Sequence, residues 1–188
     1  MFRMSTYALA LLIFMSLSAM AEDGPPITTD VMLRELTLKV PDTWKKAASQ
    51  SSMRLATFEI PAATDDGGAA ELAIYNFPGG GGSVEANISR WIGQFESKER
   101  ESKVTVGKAG EYEYHFVEVT GTYNQPVGPP IRRQTKAVAG SRMLGVILAQ
   151  DSGVYYLKMT GPDETVKAQA DALRKSFGGD AATEKESE

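Results

Sequence analysis

The chain of 188 residues is long enough for one domain with a sizeable core, and its 42% hydrophobic and 23% charged residues are typical of a globular protein. Its formal net charge is −4, and it contains one histidine and no cysteine. The weakly acidic charge gives no reason to expect nucleic acid as a partner. The absence of cysteine excludes disulfides and Cys-His sites, so packing alone must hold the fold together.

The first 21 residues have the features of a secretory signal peptide. Arg3 gives a positive start, an apolar run extends from Ala8 to Met20, and Ala19 and Ala21 satisfy the small-x-small cleavage rule. The apolar run is shorter than the roughly 20 residues of a membrane span, so cleavage is expected to leave Glu22 as the N-terminus. We therefore expect an exported chain, periplasmic or secreted, without a stable membrane span after cleavage. An uncleaved anchor is the alternative.

Alternating polarity predicts a mostly antiparallel sheet. Residues 22–32 are interpreted as an N-terminal extension, and a single globular domain is predicted at residues 33–179, opening with a strand at Leu33–Val40. Further strands are predicted at Met53–Ile60, Glu71–Phe77, Lys103–Val106, Glu111–Tyr123, Arg142–Gln150 and Gly153–Thr160. Short connections rich in turn residues favour hairpins and therefore antiparallel pairing.

One predicted strand has apolar side chains on both faces. Its aromatic residues share one face and its valines the other: Tyr112, Tyr114 and Phe116 against Val117 and Val119. Either a bulge shifts the register near His115, or the strand is covered on both sides. In both cases we expect the aromatic side chains in the core, not in a ligand-stacking platform.

Two helices are predicted to pack on this sheet, which makes the fold class α+β. The first begins after the N-cap residue Ser83 and presents one apolar stripe as far as Phe95. The second has Pro162 at its first position and ends before Gly178. Its apolar stripe is Val166, Ala170, Leu173 and Phe177. The acidic residues 180–188 that follow are expected to form a disordered tail.

Four consecutive glycines, Gly79–Gly82, precede the first helix and raise the question of a phosphate-binding loop. A Walker-type loop needs a lysine before the serine or threonine, and Gly82 occupies that position before Ser83. A dinucleotide-binding fingerprint needs a third glycine where Val84 and Glu85 stand. The glycines are therefore predicted to form a flexible turn between strand and helix, with weak anion affinity at the helix start as the alternative.

No other pattern predicts catalytic chemistry. A triad or zinc site would rest on the one histidine, His115, which shares a strand face with Glu113 but has no evident third ligand. Asp65 and Asp66 lack the spacing of a calcium loop. Asn87 fits a glycosylation acceptor but lies inside the first predicted helix. We therefore assign no catalytic, cofactor-binding or metal-binding residue, and we expect no enzyme and no cofactor.

Two stretches resemble the PsbP/DcrB-like family of exported α/β-sandwich domains. LTLKVPDTWKK, at Leu36–Lys46, is similar to that family's opening strand, proline, turn and tryptophan. YYLKMTGP and a helix ending in ALRKSF, at Tyr155–Phe177, are similar to its closing strand and terminal Ser-Phe. The resemblance implies an antiparallel sheet covered by helices, in a non-enzymatic domain that works by binding or assembly. The chain departs from the family in its glycine run and in the segment after Tyr123, and no functional residue is carried over.

The segment at residues 124–142 is predicted to be a long basic loop. It contains four cations and no acid: Arg132, Arg133, Lys136 and Arg142. Loops of this length within a compact domain tend to be functional or disordered. We predict that Arg132, Arg133 and Lys136 contact an envelope protein or an anionic surface, and a solvated mobile loop is the alternative.

These observations favour an exported, non-catalytic binding or assembly protein of the cell envelope. A carrier of a small ligand or metal is the alternative. A hydrolase that uses unrecognised carboxylates is a third and weaker interpretation.

Overall fold

The computed structural model describes residues 27–49, 51–65, 67–128, 132 and 134–187. The strands are β1 (Thr28–Leu33), β2 (Leu36–Pro41), β3 (Lys45–Ala47), β4 (Arg54–Ile60), β5 (Ala70–Phe77), β6 (Glu101–Ala109), β7 (Tyr112–Pro126), β8 (Thr135–Gln150), β9 (Gly153–Pro162) and β10 (Lys185–Glu186). The helices are α1 (Val84–Ile92), α2 (Asp163–Ala168) and α3 (Ala170–Ser176), with one 3-10 turn at Ala181–Thr183. The predicted cleavage residues Ala19, Ala21 and Glu22 lie outside the described residues.

The architecture is a sheet-dominated α+β fold. Eight strands form one sheet in the order β10-β6-β7-β8-β9-β5-β4-β3, with every neighbouring pair antiparallel. This confirms the predicted antiparallel sheet. None of the helices in the described part of the chain has the length and apolarity of a membrane span.

The start of the domain differs from the prediction of an extension followed by one strand. β1 and β2 form a separate hairpin in which Leu33 pairs with Leu36. The turn between them places Arg34 at a positive φ of 60°. Residues 28–32, assigned to the extension from sequence, are therefore half of a hairpin. Inward residues of β2, such as Leu38, alternate with exposed ones, so the sequence pattern suggested a single longer strand that began at Leu33.

The sheet is covered on both faces. The β1–β2 hairpin, α2 and α3 pack on one face, where their side chains form one hydrophobic cluster with Tyr114 and Phe116 of β7. Helix α1 packs on the other face, where Trp91 meets Val117 and Val119. Burying a side chain as large as Trp91 stabilises the fold by roughly 1.5 to 3 kcal/mol or more. The β7 register has no shift near His115, so the covered-strand interpretation is correct and the bulge is not.

The second predicted helix is two helices. Pro162 ends β9 and lies just before α2, one position earlier than predicted. Gln169, with φ −97° and ψ 0°, separates α2 from α3 and accepts a hydrogen bond from the indole nitrogen of Trp44 at 3.0 Å. The break changes the packing partner, because α2 packs against β8 and β9 whereas α3 packs against β2. The predicted stripe is nevertheless buried at Val166, Leu173 and Phe177.

The structure also differs from the prediction of a disordered acidic tail. β10 pairs with β6, and the side chain of Glu184 is only 8% exposed. It accepts hydrogen bonds from Arg174 at 2.6 Å, Thr105 at 2.7 Å and Tyr114 at 2.9 Å. Burial alone would raise the pKa of Glu184, but these donors lower it below its ordinary value. Residues 180–187 pack against the body because Glu184 pairs with Arg174, whose side chain is only 13% exposed.

Candidate partner-binding arm

The segment predicted as a long basic loop is mostly a β-ribbon. β7 and β8 remain paired as far as Pro126 and Thr135. β6 pairs with β7 only to Thr120, and β9 pairs with β8 only from Ser141. The ribbon that extends beyond both neighbours consists of residues 122–126 and 135–140, and we call it the arm. At about 3.3 Å per residue it is roughly 17 Å long.

The base of the arm is anchored along its β7 side. Tyr123 is buried against the α1 side of the sheet. The amide of Asn124 donates to the carbonyl of Gln94 at 2.8 Å, and the amide of Glu96 donates to the carbonyl of Thr122 at 2.9 Å. The connection between α1 and β6 therefore pairs with the outer edge of β7 and holds the arm in place.

Two of the three predicted contact residues lie on this arm or in the turn beyond it, and their charges are accessible. Lys136 is exposed on β8 and Arg132 is exposed in the turn between the two strands. Neither forms an ion pair with another described residue. Arg133 lies outside the described residues. The structure thus places two of the three predicted cations where an approaching partner would meet them.

Arg142 belongs to the body of the domain, not to this basic surface. Its side chain is 13% exposed, and its Nε donates to Asp163 at 2.7 Å. The same guanidinium pairs with Glu118. A shallow cleft of about 310 Å³ opens beside it, at the base of the arm next to Gly140. Because two carboxylates already neutralise Arg142, the positive charge of the predicted segment lies in its outer part.

A half-buried lysine, Lys158, which was not predicted from the sequence, lies beside the base of the arm. The ammonium of Lys158 donates to Oε1 of Gln94 at 2.5 Å and to the hydroxyl of Tyr123 at 3.1 Å, and no described carboxylate lies within 4.0 Å of it. Burial, together with the guanidinium of Arg54, lowers the pKa of Lys158 to about 8. Burial likewise raises the pKa of Tyr123 to about 12. Lys158 therefore connects the end of α1 to the root of the arm.

The glycine run has the geometry of a turn. Gly80 and Gly82 adopt φ values of 77° and 94°, which side chains rarely allow. A Cβ at Gly81 would lie 2.9 Å from the hydroxyl of Tyr156. Hydrogen bonds with its own backbone and Ser83 lower the pKa of Glu85, so this helix start already carries a negative charge.

Asn87 fixes this turn from within α1. The side chain is buried, and its amide nitrogen donates to the carbonyls of Ser83 at 2.8 Å and Gly81 at 3.0 Å. A glycan on this nitrogen would replace those bonds and would have no space. The acceptor motif at Asn87 is therefore part of the helix N-terminus and not an accessible modification site.

The other residues considered for metal chemistry are dispersed. His115 is half-buried on β7, between Val106 and Ile147 of the adjacent strands, while Glu113 is exposed. Among the residues that the structure describes, no three His, Cys, Asp or Glu side chains lie close enough together to hold a metal ion. Asp65 is exposed, and Asp66 lies outside the described residues.

Comparisons with known proteins give similarity at low sequence identity only. No family model and no curated protein matches the chain. A protein of unknown function from Pseudomonas aeruginosa, PA94, is 13% identical over 79% of this chain and 92% of that chain, with a TM-score of 0.41. Cyanobacterial PsbP from Synechocystis is 9% identical over 91% of this chain and 99% of that chain, with a TM-score of 0.48. Both TM-scores are below 0.5.

Proposed function

We propose that this chain is an exported, non-catalytic binding or assembly protein of the cell envelope, and that the arm is its docking surface. The observation that carries the proposal is the arm itself. Apart from Tyr123 at its base, no arm residue belongs to either buried cluster. A ribbon that buries so little adds little to the stability of the body, and exposed elements held by a rigid scaffold commonly bind partners.

The charge of the arm indicates the chemistry of the partner. The whole chain is acidic, yet Arg132 and Lys136 are exposed cations on the arm and its turn, and the sequence adds Arg133. A partner surface rich in carboxylates or phosphates would complement them. Such contacts mainly accelerate association, and salt screens them, so we expect binding to weaken as ionic strength rises.

Export and the finer fold assignment belong to the same proposal. The signal-peptide pattern of residues 1–21 supports export. A PsbP-like α/β sandwich is supported by the layers on both faces of the sheet. It is also supported by the contact between Trp44 and Gln169, because these residues belong to the two separate stretches that resemble the PsbP/DcrB family. Binding, without a catalytic residue, cofactor or metal, is the role that this resemblance implies.

Site-resolved crosslinking of the mature chain in its native envelope tests the proposal. We expect a reproducible partner crosslinked at residues of the arm. Replacing Arg132, Arg133 and Lys136 together by alanine should reduce that crosslink at least about tenfold, while the melting temperature stays unchanged because the described side chains among them are exposed.

A control removes two cations from the edge strand β3, away from the arm. Lys45 and Lys46 are exposed on β3, and replacing both by alanine should leave the arm crosslink intact. Crosslinks that map to the body, combined with full binding by the triple variant, would show that the arm is not the docking surface.

A further inference from the structure

The outer edge of β8 in the arm differs from the other strand edges of the sheet. At one end of the sheet, β3 has three residues and exposes Lys45 and Lys46, features that discourage pairing with another strand. At the other end, the C-terminal tail covers β6, with the amide of Ser187 donating to Val104 at 3.0 Å. On β8, the six residues 135–140 pair with no described strand on their outer side, because β9 ends at Pro162.

Hydrogen-bonded and non-hydrogen-bonded residue pairs alternate along the arm, and the phase of this alternation shows which backbone groups face outward. The amide of Val127 donates to the carbonyl of Gln134 at 2.9 Å, which fixes 127 and 134 as a bonded pair. Bonded and non-bonded pairs alternate along an antiparallel ladder, so Lys136 bonds to β7 whereas Thr135 and Ala137 direct their amides and carbonyls away from it. Asn124, opposite Ala137, confirms the phase because its amide bonds outward to Gln94.

The same phase shows that the β7 side of the arm is closed. The outward groups of Thr122 and Asn124 are already bonded to the connection after α1. Pro126, the next outward position, has no amide hydrogen. Within the described part of the chain, the unpaired backbone groups of the arm are therefore concentrated on the β8 side, at the position where β9 would continue if Pro162 did not turn the chain into α2.

We propose that the arm binds its partner by strand addition, with an extended acidic peptide segment of another protein pairing antiparallel to β8 along residues 135–140. This inference rests on the proposed function and names how its docking surface works. Backbone hydrogen bonds to Thr135 and Ala137 supply the pairing. The segment continues the sheet in line with β9, where every neighbouring strand is antiparallel.

Charge selects an acidic partner over a second copy of this chain. Lys136 lies near the outer end of the open edge, and Arg132 lies in the adjoining turn. Two copies pairing antiparallel about Lys136 or Ala137 would place their Lys136 side chains opposite or diagonal to each other, and like charges across neighbouring strands destabilise pairing. Acids at alternate positions of a peptide would instead meet these cations. The small side chains of Ala137, Ala139 and Gly140 leave the edge accessible.

Residue-resolved amide hydrogen exchange tests the inference with defined probes. The labelled mature chain is measured alone, with an acetylated and amidated peptide that alternates threonine and glutamate over eight residues, and with the same peptide carrying lysine for glutamate. We expect the acidic peptide to slow exchange at Thr135 and Ala137 at least about tenfold. The amide of Lys136 should change less, because it already bonds to β7, and the basic peptide should have no effect.

A pair of variants separates backbone pairing from charge. Ala137→Pro removes one outward amide, and the native Pro126 shows that proline is compatible with an outward position of this ribbon. Ala137→Thr keeps the amide and serves as the matched control. We expect the proline variant to lose the protection of the Thr135 amide and to form the partner crosslink at least about tenfold less. The threonine variant should retain both.

The outcomes distinguish this inference from the function on which it rests. If Ala137→Pro binds like the unmodified chain while the triple charge variant does not, strand addition is wrong and the docking surface stands. If neither variant affects crosslinking, both proposals fail. If Ala137→Pro disturbs the arm itself, amide exchange in the unmodified chain decides. Exchange at Thr135 and Ala137 that stays unchanged up to the solubility limit of the acidic peptide overturns the inference. Protection of the same amides without peptide, in a dimeric chain, would overturn it in favour of a second copy.

Discussion

The body and the arm of this sheet share two strands but are stabilised in different ways. In the body, β7 has Phe116 packed on one face and Val117 on the other, and a C-terminal strand closes the edge of β6. In the arm, the same strand is held mainly by its ladder to β8 and by contacts at Tyr123. Most arm side chains are exposed, including three consecutive residues of β8, Thr135–Ala137.

This difference separates the residues that stabilise the fold from those that we propose bind a partner. Local stability follows buried contacts, so the body should set the free energy of unfolding while the arm opens at low cost. Substitutions in the body should lower the free energy of unfolding without changing the chemistry of the arm. Substitutions in the arm should change that chemistry without lowering the free energy of unfolding. Three changes in the body test this separation.

The largest expected effect comes from the buried acid of the tail. Glu184→Ala leaves Arg174, 13% exposed and stacked 3.8 Å from the ring of Phe116, without its main counter-charge. Removing one partner of a buried pair costs about 3 kcal/mol or more, so we expect that loss in the free energy of unfolding. Urea denaturation measures it.

The control for this variant lies on the same short strand. Glu186 is exposed, and Glu186→Ala should change stability by less than about 0.5 kcal/mol. Crosslinking at the arm should be unchanged in both variants under conditions where they remain folded. Equal stability of the two variants would contradict the buried ion pair and favour the disordered tail predicted from sequence.

A smaller effect is expected where α1 meets the sheet. A Cβ at Gly145 would overlap the ring of Trp91, so Gly145→Ala must displace that helix or distort β8. Overpacking of this kind costs about 1 to 3 kcal/mol. Gly79→Ala is the matched control, because nothing lies within 4 Å of its new Cβ. Calorimetry should show a lower melting temperature for the first variant alone, and equal values would mean that α1 packs elsewhere.

The elements predictable from sequence are those with strong local signals. Ser83 accepts a hydrogen bond from the amide of Ala86, as its position before an apolar stripe predicts. Most body strands alternate or are continuously apolar, so their existence was predicted correctly, and some of their ends were too, such as Ile60, Phe77 and Gln150. Both faces of the sheet are covered, which explains why Phe116 and Val117 are adjacent and both buried.

The features that were not predicted depend on contacts that no local sequence pattern indicates. The arm has no buried face, so its β8 residues show no alternation, and composition suggested a loop. Glu184 differs from the exposed Glu186 only because Arg174, in another element, needs a counter-charge. Lys158 could have been suspected, since it shares a strand face with the buried Tyr156, but its partners Gln94 and Tyr123 are distant in sequence.

The smallest of the three effects lies at the junction of body and arm and depends on pH. Lys158 has a pKa of about 8 in the folded chain, against an ordinary value of 10.5. Between these values the unfolded chain binds more protons, so rising pH stabilises the folded state. From about pH 8.5 to pH 9.5, the free energy of unfolding should rise by about 1 kcal/mol more in the unmodified chain than in Lys158→Met, as measured by urea denaturation. Lys46→Met, which removes an exposed lysine of β3, should keep the slope of the unmodified chain. A slope that survives in Lys158→Met would show that this ammonium is not buried between Gln94 and Tyr123, and that the root of the arm is more loosely attached to the body than these contacts require.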